Sequence, residues 1–115
     1  EDSKYEIFNV PFEPNDILLN NNTQLNKVIS SIGNSELYKD KEIIIVGYAK
    51  SKATGYNDDR HISLNRAIHI RNHLINSGFN PELLTKIKAR GSKSKKINKN
   101  RVDLLIEKST IAKLN

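Results

Sequence analysis

Asp59, His61 and Ser63 have the residue types of a nucleophilic catalytic site. They stand within five residues of one another where the second predicted helix begins. Nucleophilic catalysis needs a serine hydroxyl within hydrogen-bond reach of a base that a third group orients. Side chains two residues apart on a helix do not face each other. We therefore predict no nucleophilic site here, and no glycine-rich phosphate loop or metal-ligand cluster indicates an enzyme of another kind.

Two of the three histidines, His69 and His73, stand four residues apart, a spacing that lets two imidazoles on one helix face share a metal. No acid or cysteine in the neighbouring turns completes such a site, and both positions flank an apolar stripe. We predict solvent-facing histidines and no metal or other cofactor.

A basic segment runs from Lys86 to Arg101 and contains eight cationic residues and no acid. Such a strip can bind nucleic acid, anionic glycan or phospholipid head groups. A protein that reads nucleic-acid sequence usually adds exposed aromatic residues or a groove-binding helix, and this segment has neither. A solvated loop is the favoured interpretation. Binding that ignores sequence and collapses with modest salt would mark nonspecific charge.

The composition indicates one folded domain. The chain has 115 residues, 37% of them hydrophobic, and a formal net charge of +6. Cysteine and methionine are absent, which excludes disulfides, thiolate nucleophiles and cysteine-ligated metals. No apolar run approaches the roughly 20 residues of a membrane span. Because the chain begins at Glu1 without a signal-like segment, we expect a fragment of a longer protein.

The elements that position these residues follow from hydrophobic periodicity. Residues 5–12 predict a strand, and Leu25, Val28 and Ile32 predict an amphipathic helix closed by a left-handed Gly33. The apolar run "KEIIIVGYA" predicts a central strand buried on both faces.

The second helix is expected to begin with Asp58 or Asp59 as its N-cap and to end at Gly78, with Ala67, Ile70 and Leu74 on its buried face. After a short helical turn at Pro81, "LTKIKARG" and residues 101–108 predict two further strands. The order β-α-β-α-β-β predicts an α/β sandwich, in which two main helices cover a mixed sheet.

Several motifs then resemble the C-terminal domain family of outer-membrane protein A, the OmpA-like domains. They are Gly47-Tyr48 at a strand end, "ISLNRAIHIRNHL" on the following helix, and further on "KARG" and "NRVDLLIE". The family pattern runs G-[HY]-T-D, a loop, N-x-x-L-S-x-x-R-A, a glycine-rich strand end and N-R-R-V-E. The resemblance covers most of the chain.

This resemblance implies a single periplasmic domain, residues 1–115, that binds the peptidoglycan stem peptide without catalysis. The ligand group is the free end of meso-diaminopimelate, which has an ammonium and a carboxylate on one carbon. The family's loop aspartate holds the ammonium and its helix arginine holds the carboxylate, for which a planar guanidinium is well suited. Arg66 matches that arginine and Ser63 the family serine.

The chain departs from the family at the loop acid. Lys50 stands where the family has aspartate, and a lysine has no acceptor for an ammonium. Asp59 stands where the family has asparagine, and the loop is one residue longer than the pattern. In "KNRVDLLIE", Arg101 matches the second arginine of N-R-R-V-E, while Asn100 replaces the first.

Three interpretations of this change stay open. Asp58 or Asp59 holds the ammonium instead; or Lys50 and Arg66 together bind another anionic group; or the pocket no longer recognises diaminopimelate and the fold is a scaffold. Arg66 also has a purely structural interpretation, in which it pairs with Asp58 or Asp59. Ser63 is expected to make hydrogen bonds at the helix start.

The predicted function is a non-catalytic module that holds an envelope protein to peptidoglycan. We expect it in the periplasm of a Gram-negative bacterium, associated with the outer membrane as part of a lipoprotein, motor or secretion component. The alternative is a scaffold that binds envelope proteins and has no affinity for the cell wall. The predicted ligand-binding residues are Lys50, Asp58, Asp59, Ser63, Arg66 and Arg101.

Overall fold

A computed structural model describes residues 4–14, 16–50, 56–93 and 98–108, without the side chains of residues 56 and 57. The elements in these ranges follow the predicted order: β1 (Tyr5–Pro11), α1 (Thr23–Gly33), β2 (Ile43–Tyr48), α2 (Tyr56–Asn76), β3 (Ile87–Ala89) and β4 (Arg101–Glu107). Short 3₁₀ turns at Glu36–Tyr38 and Pro81–Leu83 precede β2 and β3. None of the helices in the described part of the chain has the length and apolar character to cross a bilayer.

The four strands form one mixed sheet in the order β1-β4-β2-β3. β4 runs antiparallel to both β1 and β2, and β2 and β3 are parallel, with α2 connecting them. The α/β fold with two main helices is therefore confirmed. β2 is an interior strand as predicted, and its Ile45 and Val46, on opposite faces, are 0% and 3% exposed.

One hydrophobic core lies between the sheet and the two helices. Each helix contributes the buried residues that periodicity predicts: Leu25, Val28 and Ile32 from α1, and Ala67, Ile70 and Leu74 from α2. Alternate residues of β4 (Val102, Leu104 and Ile106) complete the core from the sheet. The opposite face of β4 therefore presents Arg101 and Asp103.

The predicted end of α1 is wrong. Gly33 lies in the last turn of α1 without a positive φ, and Asn34 caps that helix instead. The left-handed glycine follows α2, where Gly78 has a φ of 104° and the amide of Phe79 donates to the carbonyl of Leu74. This is the bond that closes a Schellman cap.

The start of α2 also differs from its prediction. The helix begins at Tyr56, so Asp58 and Asp59 lie in its first turn and neither is the N-cap. Carboxylates in this turn stabilise a helix because its N-terminus carries a partial positive charge. A favourable interaction with the helix dipole thus accounts for acidic residues at these two positions, without either being the N-cap.

Candidate functional site

Arg66 is the centre of the candidate site. It lies on the inward face of α2 and is 0% exposed. Its Nε donates to the carbonyl of Asp16 at 2.7 Å, and its Nη2 donates to the carbonyls of Glu13 at 2.8 Å and Pro14 at 3.0 Å. Its Nη1 donates to the carbonyl of Tyr48 at 2.9 Å and to Oδ1 of Asn100 at 3.0 Å. A guanidinium has five N–H groups, so all of its donors are in use.

These five acceptors come from three separate parts of the chain. Three are the carbonyls of Glu13, Pro14 and Asp16, between β1 and α1, and they accept from Nε and Nη2. The other two acceptors lie at the end of β2 and just before β4. Arg66 therefore fastens the β1–α1 connection onto the end of the sheet.

The charge of Arg66 is buried without a directly bonded carboxylate among its partners. Burial lowers its pKa to about 10, while the negative charges of Asp16 and Asp59 act in the opposite direction. Its Cζ also lies 5.1 Å from the centre of the Phe12 ring. The residue remains a cation at neutral pH, surrounded by neutral oxygens and influenced by two nearby acids.

The two predicted acids of α2 differ in their surroundings. Asp59 is 2% exposed and close enough to Arg66 to influence its pKa, whereas Asp58 is exposed. The hydrogen bonds of Arg66 go to neutral oxygens, so an ion pair with either acid is not what holds the guanidinium. The structural role predicted for Arg66 is present, but with other partners.

Asn100 joins Lys50 to Arg66. Its Oδ1 accepts from the backbone amide of Lys50 at 3.0 Å as well as from Arg66, and its Nδ2 donates to the carbonyl of Lys50 at 3.4 Å. The carbonyl of Asn100 also accepts from the amide of Phe12 at 2.9 Å. Asn100, which replaces the family's first arginine, thus connects three parts of the chain: the loop after β2, the start of β4, and helix α2. The exposed Lys50 lies at the rim of this cluster.

Ser63 fastens α2 to the residues that follow β3. Its hydroxyl donates to the carbonyl of Arg60 at 2.8 Å and accepts from the buried amide of Gly91 at 3.1 Å. A Cβ on Gly47 would stand 2.0 Å from the carbonyl oxygen of Ser63, so the helix approaches β2 where only glycine leaves room. The hydrogen bonds of Ser63 therefore lie two turns inside α2 and not at its start, where they were expected.

Arg101 lies apart from this cluster. It is 4% exposed and belongs to the sheet face opposite the helices, where its Nε pairs with Oδ1 of Asp103 at 2.9 Å. Its guanidinium also stacks on the ring of Tyr48, 4.0 Å from the ring centre. The structure therefore brings together Lys50, Asp59, Ser63 and Arg66, and it places Arg101 elsewhere. Ligand contacts of all these residues stay predictions.

The prediction of solvent-facing histidines is wrong for His69. Its Nε2 accepts from the backbone amide of Leu19 at 3.4 Å, and its ring packs edge-on against Phe12 and His73. Burial, and secondarily the charge of His73, lower the pKa of His69. In the described ranges, no three His, Asp or Glu side chains come together as metal ligands.

The basic segment does not form a uniform cationic strip. Lys86 pairs with Glu42 at 3.0 Å, and Arg101 pairs with Asp103 in a buried position. Lys95 and Lys96 lie outside the described residues.

The sequence did not predict the carbonyls of Glu13, Pro14 and Asp16 as partners of Arg66. Every residue has a carbonyl, and no motif marks the ones that an arginine will contact. The family motif marks Asn100 only as a lost arginine. A carboxamide that can donate and accept at once was the available signal that this position connects several backbone segments.

Together, these groups hold a buried guanidinium whose five N–H donors are all bonded to oxygens of the chain itself. A guanidinium presents two parallel N–H groups to a carboxylate, and here backbone carbonyls accept them. The described residues of the cluster include no nucleophile paired with a base.

A sequence model of the OmpA family matches residues 11–107, which is most of the chain. The chain belongs to the OmpA family. The predicted membership is thereby confirmed, although no curated protein sequence matches the chain.

Solved OmpA-like structures share the fold at low sequence identity. The chain is similar to the OmpA-like domain of FopA1 from Francisella tularensis, with 18% identity and a TM-score of 0.69 over 90% of this chain and 75% of that one. A periplasmic domain of MotB from Helicobacter pylori has 20% identity and a TM-score of 0.67 over 96% and 87%. The peptidoglycan-associated lipoprotein from Burkholderia pseudomallei has 14% identity and a TM-score of 0.58 over 85% and 87%.

Proposed function

We propose that this OmpA domain is a non-catalytic module that associates an envelope protein with the peptidoglycan cell wall in the periplasm. The observation that carries the proposal is the buried cation Arg66, which stands at the family's arginine position beside the acid Asp59. A solved relative described as a peptidoglycan-associated lipoprotein and another described as periplasmic support this assignment. Attachment to the outer membrane, as part of a lipoprotein, motor or secretion component, belongs to the same proposal.

In the proposed complex, Arg66 binds the carboxylate of diaminopimelate through Nε and Nη2. These two nitrogens now donate to the carbonyls of Glu13, Pro14 and Asp16, and the two ligand oxygens would replace two of these three acceptors. Nη1 keeps its bonds to Tyr48 and Asn100 and holds the guanidinium in place. Ligand entry therefore requires that the carbonyls of Glu13, Pro14 and Asp16 move away from Nε and Nη2 of Arg66.

The ammonium needs an acid near Arg66. Asp59 is the better candidate, because it is buried and already acts on the charge of Arg66, whereas Asp58 is exposed. Lys50 at the rim opposes an ammonium by charge repulsion. The family aspartate at position 50 would have the opposite effect.

A scaffold without cell-wall affinity is the second candidate function. Its support is that every N–H of Arg66 already has an acceptor from the chain, so the arginine has a full structural role without a ligand. Leu64 and Ile68, one turn apart on α2, are 42% and 39% exposed and give a protein partner apolar surface to contact.

A charge-reversal titration tests the proposal. The domain is titrated with a muropeptide that contains diaminopimelate, and amide chemical shifts are recorded for the wild type, Lys50→Asp and Lys39→Asp. Lys39 is the matched control, because it is exposed and precedes β2, whereas Lys50 follows it. Both variants lose the same charge on the surface, so nonspecific effects of charge appear in both.

Each outcome selects one interpretation. Tighter binding in Lys50→Asp alone means that an acid at the rim holds the ammonium, and weaker binding in that variant alone means that Lys50 holds an anionic group. Absence of shifts at millimolar ligand in all three proteins would refute cell-wall association and leave the scaffold.

A further inference from the structure

A second cleft lies at the free edge of β1, on the Arg101 side of the sheet. Its volume is about 400 Å³, and its lining includes Asn9, Pro11, Gln24, Asn98 and Arg101. Three of these residues have carboxamide side chains, and none of the lining residues in the described part of the chain is acidic. The cleft combines one cation with groups that can donate and accept hydrogen bonds.

Within the described ranges, the guanidinium of Arg101 is bonded through two of its three nitrogens. Its Nε donates to Asp103 at 2.9 Å, its Nη1 donates to the carbonyl of Asn98, and its plane stacks on Tyr48. Nη2 has no hydrogen-bond partner in the described ranges. Since Arg101 lines the cleft, Nη2 is the donor that we assign to a ligand there.

The surroundings of Arg101 favour a singly charged ligand group. Asp103 neutralises part of the arginine's charge and is itself held by Nδ2 of Asn9. A phosphate dianion is usually bound by several cations or by a row of backbone amides, and the described lining has one cation that is already paired. A carboxylate needs only one charged donor and polar neighbours, which Asn9, Gln24 and Asn98 supply.

We propose that this cleft binds the carboxylate of a short peptide, with Nη2 of Arg101 as the charged donor and the carboxamides as partners for the adjacent peptide groups. The proposal rests on the contacts of Arg101 and does not require a ligand at Arg66. The two sites lie on opposite faces of the sheet, so binding at one can be distinguished from binding at the other.

The test uses substitutions at Gln24, because replacing the buried Arg101 would disturb its pair with Asp103. Gln24 is exposed at the rim, and Gln24→Glu is nearly isosteric. N-acetyl-dialanine with a free carboxylate is titrated into the wild type, Gln24→Glu and Gln24→Lys, and the side-chain resonances of Asn9, Asn98 and Arg101 are followed. The C-terminal amide of the same peptide and inorganic phosphate are titrated in parallel.

We expect shifts at these side chains with the free carboxylate, about fivefold weaker binding in Gln24→Glu and tighter binding in Gln24→Lys. Equal binding of the peptide amide would overturn the proposal, as would affinities that ignore the charge at position 24. Stronger binding of phosphate would overturn the assignment of a carboxylate. Shifts confined to Lys50 and the amides near Arg66 would also contradict the second site, while leaving the proposed cell-wall association intact.

Discussion

Replacing Arg66 with methionine removes five hydrogen bonds while keeping a long side chain in the core. The matched control is Arg71→Met, the same substitution five residues later on α2. Arg71 is half-buried, and its Nε makes one hydrogen bond, to the carbonyl of Leu84 at 2.8 Å. The two variants therefore differ mainly in how many backbone acceptors lose their donor.

The expected loss of stability is about 3 kcal/mol for Arg66→Met. Hydrogen bonds to a charged group contribute about 1.5–3 kcal/mol each, so a simple sum over five bonds would be far larger. Two effects reduce this sum. Burying a charge costs several kcal/mol, and the variant avoids that cost. The carbonyls of Glu13, Pro14 and Asp16 can also bond to water once they are released from Arg66. Arg71→Met loses one such bond and should cost about 1–2 kcal/mol.

Urea unfolding measures both variants. A domain of 115 residues has a free energy of unfolding of about 6–17 kcal/mol, so Arg66→Met should still fold. Amide hydrogen exchange should accelerate at residues 16–22 in Arg66→Met and remain unchanged there in Arg71→Met. Equal destabilisation of the two variants, or unchanged exchange in residues 16–22, would refute the role of Arg66 as the clamp on the β1–α1 connection.

Three further predictions concern the contacts of α2. Gly47→Ala should lower stability by about 2–3 kcal/mol in urea unfolding, because the new Cβ overlaps the carbonyl of Ser63; an unchanged midpoint would contradict this close approach. Ser63→Ala should cost about 1–3 kcal/mol, since the buried amide of Gly91 loses its acceptor, and a cost below 0.5 kcal/mol would count against that bond. Burial lowers the pKa of His69 in the folded state, so its contribution to stability is complete above pH 6.5 and is lost as the pH falls through the lowered pKa. Denaturation at several pH values should show a smaller decrease in stability for His69→Gln than for the wild type, and an equal decrease in the two proteins would contradict this effect of burial.

The sequence predicted the order of the elements because each one repeats a local pattern. Leu25, Val28 and Ile32 return to one helix face every three or four residues, and the burial of all three confirms that pattern. Helix ends were less predictable. Gly33 and Gly78 both follow an apolar stripe, so the local sequence does not distinguish them. The chain that follows each glycine decides which one adopts a positive φ.

The candidate site was predicted in its residue types and missed in its contacts. The motif places Arg66 on α2, but its acceptors in residues 13–16 are about 50 positions away and are backbone atoms. Arg101 illustrates the opposite error. It follows Asn100 directly, yet Asn100 bonds to Arg66 whereas Arg101 pairs with Asp103 on the opposite face of the sheet, so neighbours in the motif belong to different sites.

Co-sedimentation with purified Gram-negative peptidoglycan sacculi tests the central claim most directly. The wild-type domain and Arg66→Met are compared at salt concentrations up to about 0.5 M. The chain has a net charge of +6 and can adsorb nonspecifically to an anionic surface, and salt screens this attraction. We predict that the wild type sediments with the sacculi at high salt and that folded Arg66→Met remains in the supernatant. Wild-type protein that stays in the supernatant, or that sediments no better than Arg66→Met, would contradict cell-wall association through Arg66.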